Sequence, residues 1–136
     1  MGLLTLMETN GGRPVQITTT AATPAAFTLD LGGYPRPVWV DWGDGAVEVV
    51  RTGLLAHNYA NQAARTLRVR QAQGWRGLAT WTVNHVGVGL ALADVPRVTN
   101  TLNLNGCNQV TGDLADLPRV TNTLNLNGCN QVTGDL

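Results

Sequence analysis

The chain predicts a mainly β protein in two parts, a small antiparallel β-sandwich followed by a short β-solenoid. Three observations predict it. Residues 92–113 and 114–135 are one 22-residue sequence written twice, differing only at Val95 and Leu117. A period in this range marks a stacked array, which builds a surface rather than a pocket. Upstream, short runs rich in β-branched or alternating apolar residues are separated by Gly, Asn and Asp turn signals. No segment carries a 3.6-residue apolar period. The parts divide as residues 1–86 and 87–136.

The first part reads strand by strand. Leu3–Met7 is a first strand, ended by Asn10-Gly11-Gly12. Val15–Thr19 is a second, rich in β-branched residues. Ala26–Leu31 places Phe27, Leu29 and Leu31 on one face, and Gly32-Gly33 closes it. Val38–Trp42 sets Val38, Val40 and Trp42 against Trp39 and Asp41, and Gly43-Asp44-Gly45 turns it into Ala46–Val50. Thr66–Arg70 points Leu67 and Val69 inward, with Arg68 and Arg70 on a solvated face. Gly74-Trp75-Arg76-Gly77 then turns into Ala79–Val83. Seven short strands of this kind fit a small antiparallel sandwich.

In the repeats, Leu102, Leu104, Cys107 and Val110 point inward, as do Leu124, Leu126, Cys129 and Val132. Thr101, Asn103, Asn105, Thr123, Asn125 and Asn127 point outward. Stacked segments lie about 4.8 Å apart. Asn103 should therefore lie beside Asn125, and Asn105 beside Asn127, with amides bonding along the stack. This outward stripe has two readings, a solvated sheet face or a polar surface that binds a glycan or a protein. Trp81, Val83, His85, Val88 and Leu92 form a degenerate first copy. His85 occupies the place of Cys107 and Cys129, and is expected to be buried and hydrogen-bonded. The two cysteines point inward in parallel, which suits buried thiols filling a turn better than a disulfide.

Bulk properties narrow the function. The 136 residues carry a formal net charge of zero and a pI near 6.7. No field favours nucleic acid or an anionic membrane. Charged residues make up 13%, against ~25% in typical domains, so Thr, Asn and Gly form much of the surface. The chain has no Ser and no Lys, which excludes a serine nucleophile, a Schiff-base lysine and a Walker lysine. No apolar run is long enough to span a bilayer. Met1–Glu8 lacks the basic and apolar regions of a signal peptide. Glycoside hydrolysis needs paired carboxylates, yet the Asp residues are scattered at turns and Glu8 and Glu48 are the only glutamates. The reading is therefore not an enzyme, with no cofactor and no metal beyond the calcium candidates Asp41 and Asp44.

Asp41-Trp42-Gly43-Asp44-Gly45, followed by His57-Asn58-Tyr59, resembles the signature of PKD-like β-sandwiches from bacterial and viral surface proteins. The usual Gly before the following strand is replaced by Ala63 or Ala64, and an aromatic on it by Leu67. The bare reading of Asp44 is a turn carboxylate that bonds its own backbone. His57 is expected to be a packed, hydrogen-bonding residue. Trp39, Trp42, Trp75 and Trp81 are expected in packing, an exposed one being able to stack on a sugar ring. The pattern Leu102-x-Leu104-x-x-Cys107-x-x-Val110 resembles the leucine-rich repeat, with one departure, the three residues between Val98 and Leu102.

A PKD-like sandwich carrying leucine-rich repeats implies a surface or adhesion layout. With no leader at Met1, the reading that fits is a structural protein of a phage virion: a capsid decoration, fibre or tail-surface subunit. The expected partners are capsid or tail subunits or a second copy, with no nucleic acid and no membrane insertion. The alternative is a bacterial cell-surface or secreted adhesin binding a glycan or protein. Leu136 falls inside a repeat, so either the array continues or a partner covers its last segment.

Overall fold

A computed structural model describes residues 14–71, 75–117 and 122–134. The expected strand Leu3–Met7 lies outside them. Among the described residues the chain is mainly β, with eleven short strands in three sheets and two single 3₁₀ turns, Leu92–Asp94 and Leu114–Asp116.

The first sheet has the order β1-β6-β3-β4, all antiparallel, with β1 Val15–Thr18, β3 Val38–Asp41, β4 Val47–Val50 and β6 Thr66–Arg70. Alternation builds its inner face, since Val15, Ile17, Val38, Val40, Leu67 and Val69 are all buried. The β3–β4 hairpin pairs Val38 with Val50 and Asp41 with Val47. Its turn needs positive φ at Gly43 (+80°) and Gly45 (+96°). Gly43 has a second constraint, because a Cβ there would collide with the Thr66 carbonyl oxygen on β6. One expectation fails here. Arg70 is not on a solvated face but 2% exposed. It lies opposite Trp39 in a strand flanked on both sides, whereas Arg68, opposite Asp41, is exposed.

The second sheet has the order β10-β8-β7-β2-β5. It contains β2 Ala26–Asp30, β5 Leu54–Asn58, β7 Thr80–Thr82, β8 Thr101–Asn103 and β10 Thr123–Asn125. β5 was missed by sequence reading. As an edge strand it leaves Leu54 49% exposed and buries Leu55, so Leu54-Leu55 hides the alternation. β5 and β7 pair antiparallel to β2. β7, β8 and β10 then run parallel, so this one sheet passes through the 86/87 division.

The two repeats lie side by side in parallel register. Trp81 pairs with Leu102 and Leu102 with Leu124. Thr80, Thr101 and Thr123 form one outward rank, and Thr82, Asn103 and Asn125 the next. A third sheet pairs β9 Thr111–Asp113 with β11 Gln131–Thr133. There Thr111 faces Gln131, 20 positions away, whereas Thr101 faces Thr123, 22 away. A slip of two residues preserves which face each side chain occupies, where a slip of one would reverse it. The second 3₁₀ turn is fixed locally: Asp113 Oδ1 accepts from Ala115 N–H at 2.9 Å, and Asp116 Oδ2 from Asp113 N–H at 3.4 Å.

Inward residues of β1, β2, β3, β5, β6, β7 and β8, with residues of the turns between them, form one apolar cluster running from Val15 to Cys129. Trp42, Trp81, Phe27, Leu29, Leu55, Leu92 and Leu102 are among its fully buried members. Each such aliphatic side chain contributes roughly 1.5–3 kcal/mol of burial. Trp39 and Trp75 are half-buried.

Candidate functional site

The Asp-Trp-Gly-Asp-Gly turn and the His-x-Tyr segment converge. Asp41 Oδ1 accepts from Gly43 N–H at 3.0 Å, and Asp44 Oδ1 from Ala46 N–H at 3.1 Å. Both carboxylates thus do what a short acidic side chain does in a turn. The second Asp44 oxygen lies 2.8 Å from His57 Nε2. His57 stacks flat on Trp42 at 4.7 Å between centroids, and its ring meets Tyr59 edge-on, also at 4.7 Å. The Tyr59 hydroxyl donates to the Trp42 carbonyl at 2.6 Å. His57 belongs to β5 of the second sheet, and the turn to β3 and β4 of the first, so these contacts clamp one sheet to the other.

Electrostatics follow the geometry. The hydrogen bond from His57 holds the Asp44 carboxyl below its ordinary value. Burial, then the Asp44 charge, pushes the Tyr59 phenol well up. Two participants escaped sequence reading. Glu48 Oε1 accepts from Trp42 Nε1 at 2.7 Å, and the Arg65 guanidinium sits 4.2 Å above the Tyr59 ring. Glu48 was within reach, because the hairpin register places it opposite Val40, diagonal to Trp42. Arg65 carried no comparable signal. Among the described residues no group of three or more His, Cys, Asp or Glu is placed to hold a metal.

The second candidate is the outward face of the repeats. Thr101, Asn103, Asn105 and Asn125 are half-buried, and Thr123 and Asn127 exposed. Asn103 lies beside Asn125 in register. Their amides, however, do not bond along the stack. Asn103 Oδ1 accepts from Asn105 N–H and Asn125 Oδ1 from Asn127 N–H, each at 3.0 Å. Closing a local turn satisfies a backbone donor without ordering a second side chain, so it wins. The amide bonds along the stack occur elsewhere: Asn122 Nδ2 to Asn100 Oδ1 at 2.8 Å, and Gln131 Nε2 to Gln109 Oε1 at 3.2 Å.

The inward groups repeat with the same regularity. Cys107 Sγ donates to the Val83 carbonyl and Cys129 Sγ to the Leu104 carbonyl, both at 3.1 Å. Both thiols are free and buried. Burial pushes Cys107 up to about 11 and also raises Cys129. His85 is half-buried, packed on Phe27 at 5.2 Å, and its Nε2 accepts from Thr28 N–H at 3.2 Å. Burial lowers its pKa.

Compared with protein-family models, curated proteins and solved structures, the chain shows no significant match to any. Among the described residues no helix is long and apolar enough to cross a membrane.

Proposed function

We propose that the chain is a non-enzymatic structural protein of a phage particle, a decoration, fibre or tail-surface subunit. In this reading residues 1–86 form a PKD-like sandwich that anchors the protein, and residues 87–136 a leucine-rich-repeat solenoid that projects an interaction surface. The observation that carries it is the unbroken second sheet. Strand β2, next to the clamped edge strand β5, is hydrogen-bonded through β7 to the repeats β8 and β10. A load on the repeats passes directly into the part that would be anchored, through a shared apolar cluster.

The test is location and stoichiometry. Mass spectrometry of purified particles, with antibody labelling under the electron microscope, should find the chain at a fixed copy number on their surface. Recovery only in the host-cell fraction, with none on particles, would overturn the proposal.

One observation favours a second reading, a bacterial cell-surface or secreted adhesin. The ranks Thr80/Thr101/Thr123 and Thr82/Asn103/Asn125 offer regularly spaced hydroxyls and amides to a glycan or protein. Binding to a glycan array, lost in an Asn125→Ala, Asn127→Ala variant, would support it.

A further inference from the structure

The two repeats carry the same residues at every position but Val95/Leu117, yet among the described residues only the first has its following face covered. The geometry points to residues 122–134 as a docking face for one further polypeptide segment of the same 22-residue sequence, laid parallel to the second repeat. This inference is independent of where the protein works.

The apolar positions show the asymmetry. Leu102, Leu104, Cys107 and Val110 are all 0% exposed. Their counterparts are opened: Leu124 is 36% and Cys129 8% exposed, and Leu126 and Val132 are only partly buried. Together with Leu114 they line an open concavity of about 340 Å³. Nothing separates the two sets chemically, so what covers the first set should also fit the second.

Hydrogen bonding makes the demand specific. Leu104 N–H donates to Asn125 O and Gly106 N–H to Asn127 O, each at 2.8 Å. The equivalent donors on the second repeat, Leu126 N–H and Gly128 N–H, have no acceptor among the described residues. The Leu104 carbonyl receives the Cys129 thiol, and the Leu126 carbonyl is its equivalent for the next thiol. The occupant must also carry glycine where this chain has Gly128. A Cβ there would lie 3.2 Å from the Gly106 Cα, and the backbone already needs φ +85°. The fitting segment is therefore Asn-Thr-Leu-Asn-Leu-Asn-Gly-Cys-Asn-Gln-Val, in parallel register.

A whole second copy does not meet this demand. Its own first repeat already has the preceding face occupied by β7, through the Trp81–Leu102 pairing. Two chains meeting end to end would pair β10 antiparallel, which changes the ladder's hydrogen-bond pattern.

The test extends the full chain after Leu136 with the sequence of residues 115–136. A control tail of equal length carries Asp at the four inward positions. Amide exchange is read at Leu126 and Gly128, together with solution mass. The repeat tail should slow exchange at both amides at least ~10-fold relative to the unextended chain, and the control tail should not. Unchanged exchange in the extended chain would overturn the inference. So would equal protection by the control tail, or concentration-dependent protection of the unextended chain, which would assign the face to an end-to-end dimer.

Discussion

The Tyr59 hydroxyl lies 2.6 Å from the Trp42 carbonyl oxygen, joining the end of β5 to the end of β3 across the two sheets. Both residues are buried. Tyr59→Phe leaves that carbonyl without its donor, and should destabilise the fold by about 1–3 kcal/mol in urea unfolding. The phenol also sets an alkaline limit. Its folded pKa lies above the ordinary 10.0, so it stabilises fully below 10 and the contribution is lost as pH rises beyond it. Tyr59→Phe should therefore lose less stability than the parent between pH ~9 and ~11.

Asp44 and His57 form the polar half of the same clamp, at 2.8 Å. Their side chains are 27% and 19% exposed, so solvent screening limits the pair to about 1 kcal/mol or less. The folded Asp44 pKa lies below 3.8, so its contribution is complete above 3.8 and disappears as pH falls through the folded value. A double-mutant cycle with Asp44→Asn and His57→Gln should give a coupling near 0.5 kcal/mol at neutral pH and none in strong acid. A coupling that persists in acid would mean that an uncharged hydrogen bond, not the charge, links the two side chains.

Much of this was legible because particular residues admit few alternatives. Gly43-Asp44-Gly45 between two β-branched runs fixes a hairpin, and two 22-residue stretches that differ at one position fix a parallel stack. Other features depend on what lies across from a residue, which one strand does not reveal. β5 was hidden because Leu54, on an edge, points outward, and Arg70 looked solvated because its strand alternates so regularly. The Asn103 and Asn125 amides illustrate the same gap. Register was predictable, but the competition between a neighbour 22 residues away and a backbone N–H two residues away was not.

Two turn glycines separate backbone strain from steric collision. At Gly45 (φ +96°) an added Cβ meets nothing within 4 Å, so Gly45→Ala should cost only the conformational penalty, about 1–2 kcal/mol. At Gly43 (φ +80°) the same Cβ strikes the Thr66 carbonyl oxygen, which belongs to β6 and cannot swing aside. Gly43→Ala should be the worse by at least ~2 kcal/mol, or fail to fold. Equal melting temperatures for the two variants would show that β6 yields.

The thiols should report the difference between a covered and an uncovered repeat. Thiolate is the reactive form, and burial raises both pKa values, Cys107 to about 11. Ellman's reagent at mildly alkaline pH should therefore modify neither quickly. Cys129, 8% exposed, should react before Cys107, which is 0% exposed. Single Cys→Ala variants would assign the order, and a faster Cys107 would place the opening on the wrong repeat.

His85 stands 22 residues before Cys107, as Cys107 stands 22 before Cys129, and it gives this part of the chain a pH dependence that the two cysteines do not. Its Nε2 accepts from Thr28 N–H at 3.2 Å, which requires that nitrogen to be unprotonated, and burial against Phe27 disfavours the cation. The folded pKa lies below the ordinary 6.5. The unfolded chain then binds the proton first, so stability is complete above 6.5 and falls as pH drops toward the folded value. His85→Gln cannot take up that proton. The parent should lose stability between about pH 7.5 and about pH 5.5, and His85→Gln should lose measurably less over that interval. Parallel pH profiles for the two proteins, followed by urea midpoint, would show that His85 titrates as freely in the folded chain as in the unfolded one.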